Sequence, residues 1–237
     1  MSYYCYMHWR LKRQLIAAGV IGLIATIIVF ALFFWFKTSS EQISPSTSLG
    51  AQEPLRLLWA RFFPVRSGVY DIAALVENLN DHARAARVSY AFRLFDENDI
   101  LIAAKEGMSF VNPGERFIVV EPLVATAVRL PKRVSFEIRD VVWEAGEKIV
   151  LPVAVKQKRF ETSSTDTTLY ATLVNTDARS SAALEVISVL ADGEGNATAV
   201  SRAVVDPVLA GGEREVVFTW PRVLPEPNAI QIYVRER

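Results

Sequence analysis

One cysteine, Cys5, and two histidines, His8 and His82, occur in the 237 residues of the chain. A single thiol excludes an internal disulfide, so any folded domain here is held by packing alone. Two histidines leave little material for metal or acid–base chemistry, and no H-E-x-x-H, C-x-x-C or G-x-S-x-G pattern is present. Acids are missing from one end. No Asp or Glu precedes Glu41, whereas Arg10, Lys12, Arg13 and Lys37 do, so residues 38–237 carry all 26 acids against 22 bases, a net charge of −4. A weakly acidic region of this kind does not suit nucleic acid, whose binding needs clustered Lys and Arg to displace counterions.

Charge of either sign is absent from Leu15 to Phe36, the 22 residues "LIAAGVIGLIATIIVFALFFWF". A helix of that length spans about 33 Å, enough for a hydrocarbon core of about 30 Å. A cleaved signal peptide has a shorter apolar stretch, roughly 7–15 residues, ending at a small-x-small site. Here Phe33, Phe34, Trp35 and Phe36 run straight into Lys37, so the expectation is an uncleaved signal anchor in the plasma (inner) membrane. Arg10, Lys12 and Arg13 on one flank against Lys37 alone on the other place residues 1–14 in the cytoplasm and residues 38–237 outside it. Tyr3, Tyr4, Tyr6, Trp9 and Trp35 suit the interfacial aromatic belts. Cys5 is either a juxtamembrane lipidation site or an idle thiol.

Residues 37–54, "KTSSEQISPSTSLGAQEP", are rich in Ser, Thr and Pro and read as a tether. Beyond them short runs of period two alternate with turn residues, the pattern of an all-β sandwich or barrel. The runs recur. "RVSFEIR" (Arg133 to Arg139) returns as "AIQIYVR" (Ala229 to Arg235), and "VSYAFRLFD" (Val88 to Asp96) as "LEVISVLAD" (Leu184 to Asp192), each 96 residues later. "VYDIAALVEN" (Val69 to Asn78) pairs with "LYATLVN" (Leu169 to Asn175), and the Gly-Glu-Arg of Gly114 with that of Gly212, 98 apart. Four blocks in one order and register indicate an internal duplication. Each copy is large enough to close its own core as a sandwich. The predicted domains are therefore 55–140 and 141–237, with the seam near Asp140–Lys148.

The strands expected in the first copy are Leu55–Pro64, Val69–Asn78, Arg87–Phe95, Ile100–Ala104, Glu115–Glu121 and Arg133–Val141. Those in the second are Ile149–Val155, Thr168–Val174, Ala183–Ala191, Ala197–Val205, Glu213–Trp220 and Ala229–Arg235.

"FRLFD" (Phe92 to Asp96), with Val76 and Asn78 closing the strand before it and Pro113-Gly114-Glu115 opening a later one, resembles the FxLYD signature. That signature belongs to a family of small Ig-like β-sandwich domains of bacterial and archaeal envelopes. Phe95 stands where the family has Tyr. The second copy keeps Leu190 and Asp192 of the signature but loses both aromatics, and Gly211 replaces the proline. The resemblance implies two tandem Ig-like domains in an accessory, bacterial envelope protein, and brings no catalytic residues.

The remaining candidates are few. Asp192, Glu194 and Asn196 offer oxygens at alternate positions, as calcium loops do, but no distal bidentate carboxylate follows, so the stretch reads as a hairpin turn and no metal or cofactor is expected. Asn78 and Asn175 either bind a ligand or cap a strand end on local backbone. "LRLLWARFFPV" (Leu55 to Val65) is apolar on both faces: Leu57, Trp59 and Phe63 on one, Leu58, Ala60 and Phe62 on the other. Such a strand is either central in a core or contacts something else. Trp59, Phe63 and, at the seam, Trp143 are the candidate partner-binding residues. The expected function is a non-catalytic, single-pass envelope protein that binds or assembles with another membrane or envelope protein. The alternatives are a module binding a glycan, peptide or lipid, which needs an apolar cleft with a few convergent polar groups, and a hydrolase built on His82.

Overall fold

The computed structural model describes residues 51–237, and the predicted cytoplasmic tail, membrane helix and most of the tether lie outside the described residues. Among the described residues there is no helix long and apolar enough to cross a membrane. All regular structure is β: β1 (Arg56–Arg66), β2 (Val69–Glu77), β3 (Ala83–Phe95), β4 (Leu101–Val111), β5 (Arg116–Ala125), β6 (Arg133–Ala145), β7 (Val153–Thr162), β8 (Thr167–Asn175), β9 (Leu184–Ala191), β10 (Ala197–Val205), β11 (Glu213–Trp220) and β12 (Ala229–Glu236). They form four antiparallel sheets of three strands, ordered β1-β2-β5, β4-β3-β6, β11-β8-β7 and β10-β9-β12.

The first two sheets close one core. Ile72, Ala74 and Val76 from β2 and Val119 from β5 meet Val88, Tyr90, Phe92 and Leu94 from β3, with Phe136 of β6 stacked at 4.7 Å from Phe92. The other two close a second core, where Leu169 and Leu173 of β8 and Phe218 and Trp220 of β11 meet Leu184, Val186 and Leu190 of β9. β6 runs past residue 140, where the sequence pattern placed the seam, and ends at Ala145, because Val141 and Trp143 still point into the first core.

Strand for strand the halves share one topology, with β7 to β12 taking the places of β1 to β6. The duplication extends to single hydrogen bonds. Asn78, 1% exposed, donates Nδ2 to the Ala83 and Val111 carbonyls and accepts from the Asn80 amide. Asn175, also 1% exposed, donates to the Arg179 and Val208 carbonyls and accepts from Asp177. Of the two readings for these asparagines, the structure shows the strand-end cap. Asp96 Oδ1 accepts from the Asn98 and Ile100 amides as Asp192 Oδ1 does from Glu194 and Asn196. One pairing differs from the sequence reading. Gly114 corresponds to Gly211, not Gly212: both hold φ near +62°, which an L side chain resists, and donate their amides to Asn80 and Asp177.

The sandwiches then stack. The β1-β2-β5 sheet carries Phe63, Ala73, Leu75, Ile118 and Val120 on its outer face, and the β10-β9-β12 sheet answers with Ile187, Val189 and Val200 in one buried cluster. Strands apolar on both faces follow: β9 is buried along its whole length.

Candidate functional site

Trp59 and Phe63 lie on the side of β1 that faces the second sandwich, while Ala60 and Phe62 face the first core. Phe63 is only 4% exposed, and Trp59 packs against the same inter-sandwich cluster. The neighbour of this doubly apolar strand is thus the second half of its own chain. Between them, Arg61 extends Nη2 to Asn196 Oδ1 at 2.7 Å on the β9–β10 turn. Trp143 is not gathered with these residues. It sits across from Ala85 on β3 and packs into the first core.

The polar centre of the same interface was not singled out from the sequence. Arg235 of β12 is 6% exposed. It binds Glu185 of β9 through Nε at 2.9 Å and Nη2 at 2.7 Å, then crosses to the first sandwich, donating to the Phe110 carbonyl at 2.6 Å and Ser109 Oγ at 3.1 Å. Its guanidinium lies over the Phe117 and Phe110 rings at 3.5 and 4.0 Å. Burial pulls its pKa below the ordinary arginine value while Glu185 works in the opposite direction. Beside it, Tyr90 crosses Gly107, where a Cβ would strike the phenol, to donate to Glu121 at 2.8 Å. Burial first, and Glu121 second, push the Tyr90 phenol well above its usual pKa. The pKa of Glu115, half-buried near Arg235 and Arg84, is raised by desolvation. In sequence, Arg235 closes the alternation of "AIQIYVR" on its polar side, which ordinarily marks a solvent face, and nothing local distinguishes it.

His82 is exposed in the β2–β3 connection, and no hydroxyl or carboxylate bonds its ring among the described residues. The Asp192 and Glu194 carboxylates accept hydrogen bonds within the turn, Asn196 Oδ1 accepts from Arg61, and among the described residues no group of three or more His, Cys, Asp or Glu is placed to hold a metal.

Val128, the most exposed large apolar side chain among the described residues, shares a loop tip with Leu130. Val128 and Leu130, in the β5–β6 connection, are 95% and 72% exposed. The loop is nevertheless braced: Thr126 Oγ1 donates to the Arg129 carbonyl at 2.7 Å, the Lys132 amide to Phe95 at 2.7 Å and the Thr126 amide to Gly68 at 2.9 Å, while Arg129 pairs with Asp96 at 3.3 Å. This tip lies at the end of the first sandwich opposite to where the chain enters, since Glu53 is held in both directions by Asn80 in the β2–β3 connection. The 11 residues of β1 separate the two ends by about 35 Å.

No family model matches the chain, and no curated protein matches it. Among solved structures it is similar to a red sea bream transglutaminase, at 12% identity and a TM-score of 0.27 over 78% of this chain. The match spans only 29% of that enzyme's chain.

Proposed function

We propose that this chain is a single-pass, membrane-anchored, non-catalytic envelope protein. In this reading residues 15–36 form the anchor, and the two sandwiches are Ig-like domains of the FxLYD type, 55–140 and 141–237, held outside the cytoplasm to dock another envelope protein. The observation that carries the reading is the braced tip with Val128 and Leu130 at the end remote from the tether. Two largely exposed apolar side chains on a loop fixed by hydrogen bonds are costly to leave in water and lose little entropy on binding. Tethering in the membrane plane raises the effective concentration of a membrane neighbour, so a small contact suffices.

The test is site-specific photocrosslinking in the native membrane, with the photoreactive residue placed at Val128 or Leu130 and, as control, at Thr172 on the outer face of the β11-β8-β7 sheet. Capture of one abundant envelope protein from the tip positions alone is expected. No capture, or the same capture from Thr172, would overturn the proposal.

A further inference from the structure

At the end of the inter-sandwich interface away from the tether, the two halves part around a pocket of about 280 Å³. Its walls are apolar and come from both sandwiches: Phe63 and Val120 from the first, Val200 and Trp220 from the second. Three ionisable side chains, Asp71, Arg202 and Arg222, line the same pocket, and Arg202 already faces Glu185 at 3.5 Å. Asp71 and Arg222 form no ion pair with each other: Asp71 spends one oxygen on the Leu123 amide at 2.9 Å, and Arg222 has no hydrogen-bond or ionic partner among the described residues, with its Nε buried. Burial shifts both away from their charged forms, the carboxyl upward and the guanidinium downward.

The backbone holds this arrangement open. Opposite Asp71 the β2–β5 ladder skips between Tyr70 and Ile72, and Leu123 bulges out with a left-handed φ of 55°, a conformation that leucine adopts only under constraint. On the other wall, the Leu224 amide is fixed to Thr167 Oγ1 at 2.9 Å, which pins the short connection carrying Arg222 just after Trp220. Arg222 is half-buried, and a partly desolvated guanidinium without a counter-ion gains from an anionic partner. An apolar pocket with a few convergent polar groups is the form that small-molecule sites take.

We infer that the pocket between the sandwiches binds a small organic anion: one carboxylate taken by Arg222, and a compact apolar body laid against Trp220, Phe63, Val120 and Val200. The volume suits a body of roughly ten to fifteen non-hydrogen atoms, at the small end of known ligand sites. The free oxygen of Asp71 serves a hydroxyl or amine on such a molecule and repels a second carboxylate. The site goes beyond the docking role, being distinct from the Val128–Leu130 tip, and either can fail without the other.

The probes are 3-phenylpropanoate, 3-phenylpropan-1-ol and 3-phenylpropylamine, matched in shape and differing in charge. Binding to the full-length chain in lipid nanodiscs is measured by saturation-transfer NMR, with empty nanodiscs as the blank. The acid is expected to bind with a dissociation constant of about 1 mM or tighter, at least tenfold tighter than the alcohol, because a charge-assisted contact to a partly desolvated arginine is among the stronger single contacts. Arg222→Gln should remove that preference and leave the alcohol unchanged, while Arg222→Lys should retain most of it. Matched thermal midpoints for the three proteins exclude a folding artefact. Equal binding of acid and amine, an acid preference that survives Arg222→Gln, or no binding of the acid would each overturn the inference.

Discussion

Replacing Arg235 by Met retains an apolar stem of similar reach and deletes the guanidinium that ties the sandwiches together. Two bonds to Glu185 disappear, along with those to the Phe110 carbonyl and Ser109 Oγ and the stacking on Phe110 and Phe117. What remains is a largely buried Glu185 with only Arg202 nearby, at 3.5 Å. Breaking a buried pair from one side costs about 3–5 kcal/mol, mostly as the penalty of the stranded charge. For a folded unit of this size that corresponds to a fall in thermal midpoint of about 6–20 °C, taking 2–4 °C per kcal/mol. The double variant Arg235→Met with Glu185→Leu strands no charge, so it should lose only about 1–2 kcal/mol. The assay is thermal unfolding of the full-length chain in nanodiscs followed by tryptophan fluorescence, with Trp59 beside the interface as reporter. Equal losses in the single and double variants would show that the pair does not carry the cost. A single-variant loss below about 1 kcal/mol would show that the sandwiches are not locked at this point.

Three further outcomes follow from the same packing. Asn78→Ala and Asn175→Ala each strand two buried carbonyls and a strand-end amide, so each should cost about 2–4 kcal/mol by urea denaturation, and similar values are required if the two caps are equivalent. Ser188 is fully buried with a hydroxyl that has no partner among the described residues, so Ser188→Ala should raise stability by about 1 kcal/mol, and a loss instead would reveal a bond to its hydroxyl. Glu115 has its pKa raised from an ordinary 4.5 by burial, despite Arg235 and Arg84 nearby. In the window just above 4.5 the folded state therefore binds more protons than the unfolded state, and this group's contribution falls as pH rises through the folded pKa. Glu115→Gln should remove that decline, gaining on the native protein in unfolding midpoint between pH 4 and pH 7. A constant difference across that range would contradict the assignment.

Strands with regular alternation were legible in the sequence, and strands whose alternation is interrupted were not. β10 and β11 fall where the apolar runs place them, as does β12 to within a residue. β4 runs on to Val111, beyond the expected Ala104, because Lys105-Glu106-Gly107 breaks the pattern at the place where Tyr90 needs Gly107 to pass. β7 begins at Val153 rather than Ile149 and continues to Thr162. A register shift falls before Gln157, and beyond it the exposed Lys158 reaches across to donate its ammonium to the Ile230 carbonyl at 2.8 Å. The candidate residues divide in the same manner. The double apolarity of β1 announced that Trp59 and Phe63 touch something, but a run of side chains carries no address, and the neighbour proved to be β9 and its partners. Arg235, Arg222 and Asp71 matter through what lies 50 or more residues away in sequence, which no local pattern records.

The stacking joins unlike faces. The β1-β2-β5 sheet of the first sandwich meets β10-β9-β12 of the second, and the latter is the counterpart of β4-β3-β6, not of β1-β2-β5. A contact between unlike faces does not close on itself: each copy could accept another, in the same chain or in a second molecule, and grow into a column. The two outer faces stop this. Where the second copy has Ile187 and Val189 the first has Ala91 and Arg93, and that face is laced by Arg93–Glu137 at 2.6 Å and Arg139–Glu106 at 2.7 Å. Where the first copy has Ala73 and Leu75 the second has Tyr170 and Thr172, beside Arg159, which covers the Tyr170 ring at 4.0 Å, and Lys156 paired with Glu213. Burying either face would strip water from several ion pairs for little apolar gain. One pair of faces is thus apolar and the other pair charged. Such faces favour a stack of two sandwiches over an open column, and they leave the loop ends and the gap between the halves as the places where another molecule can be met.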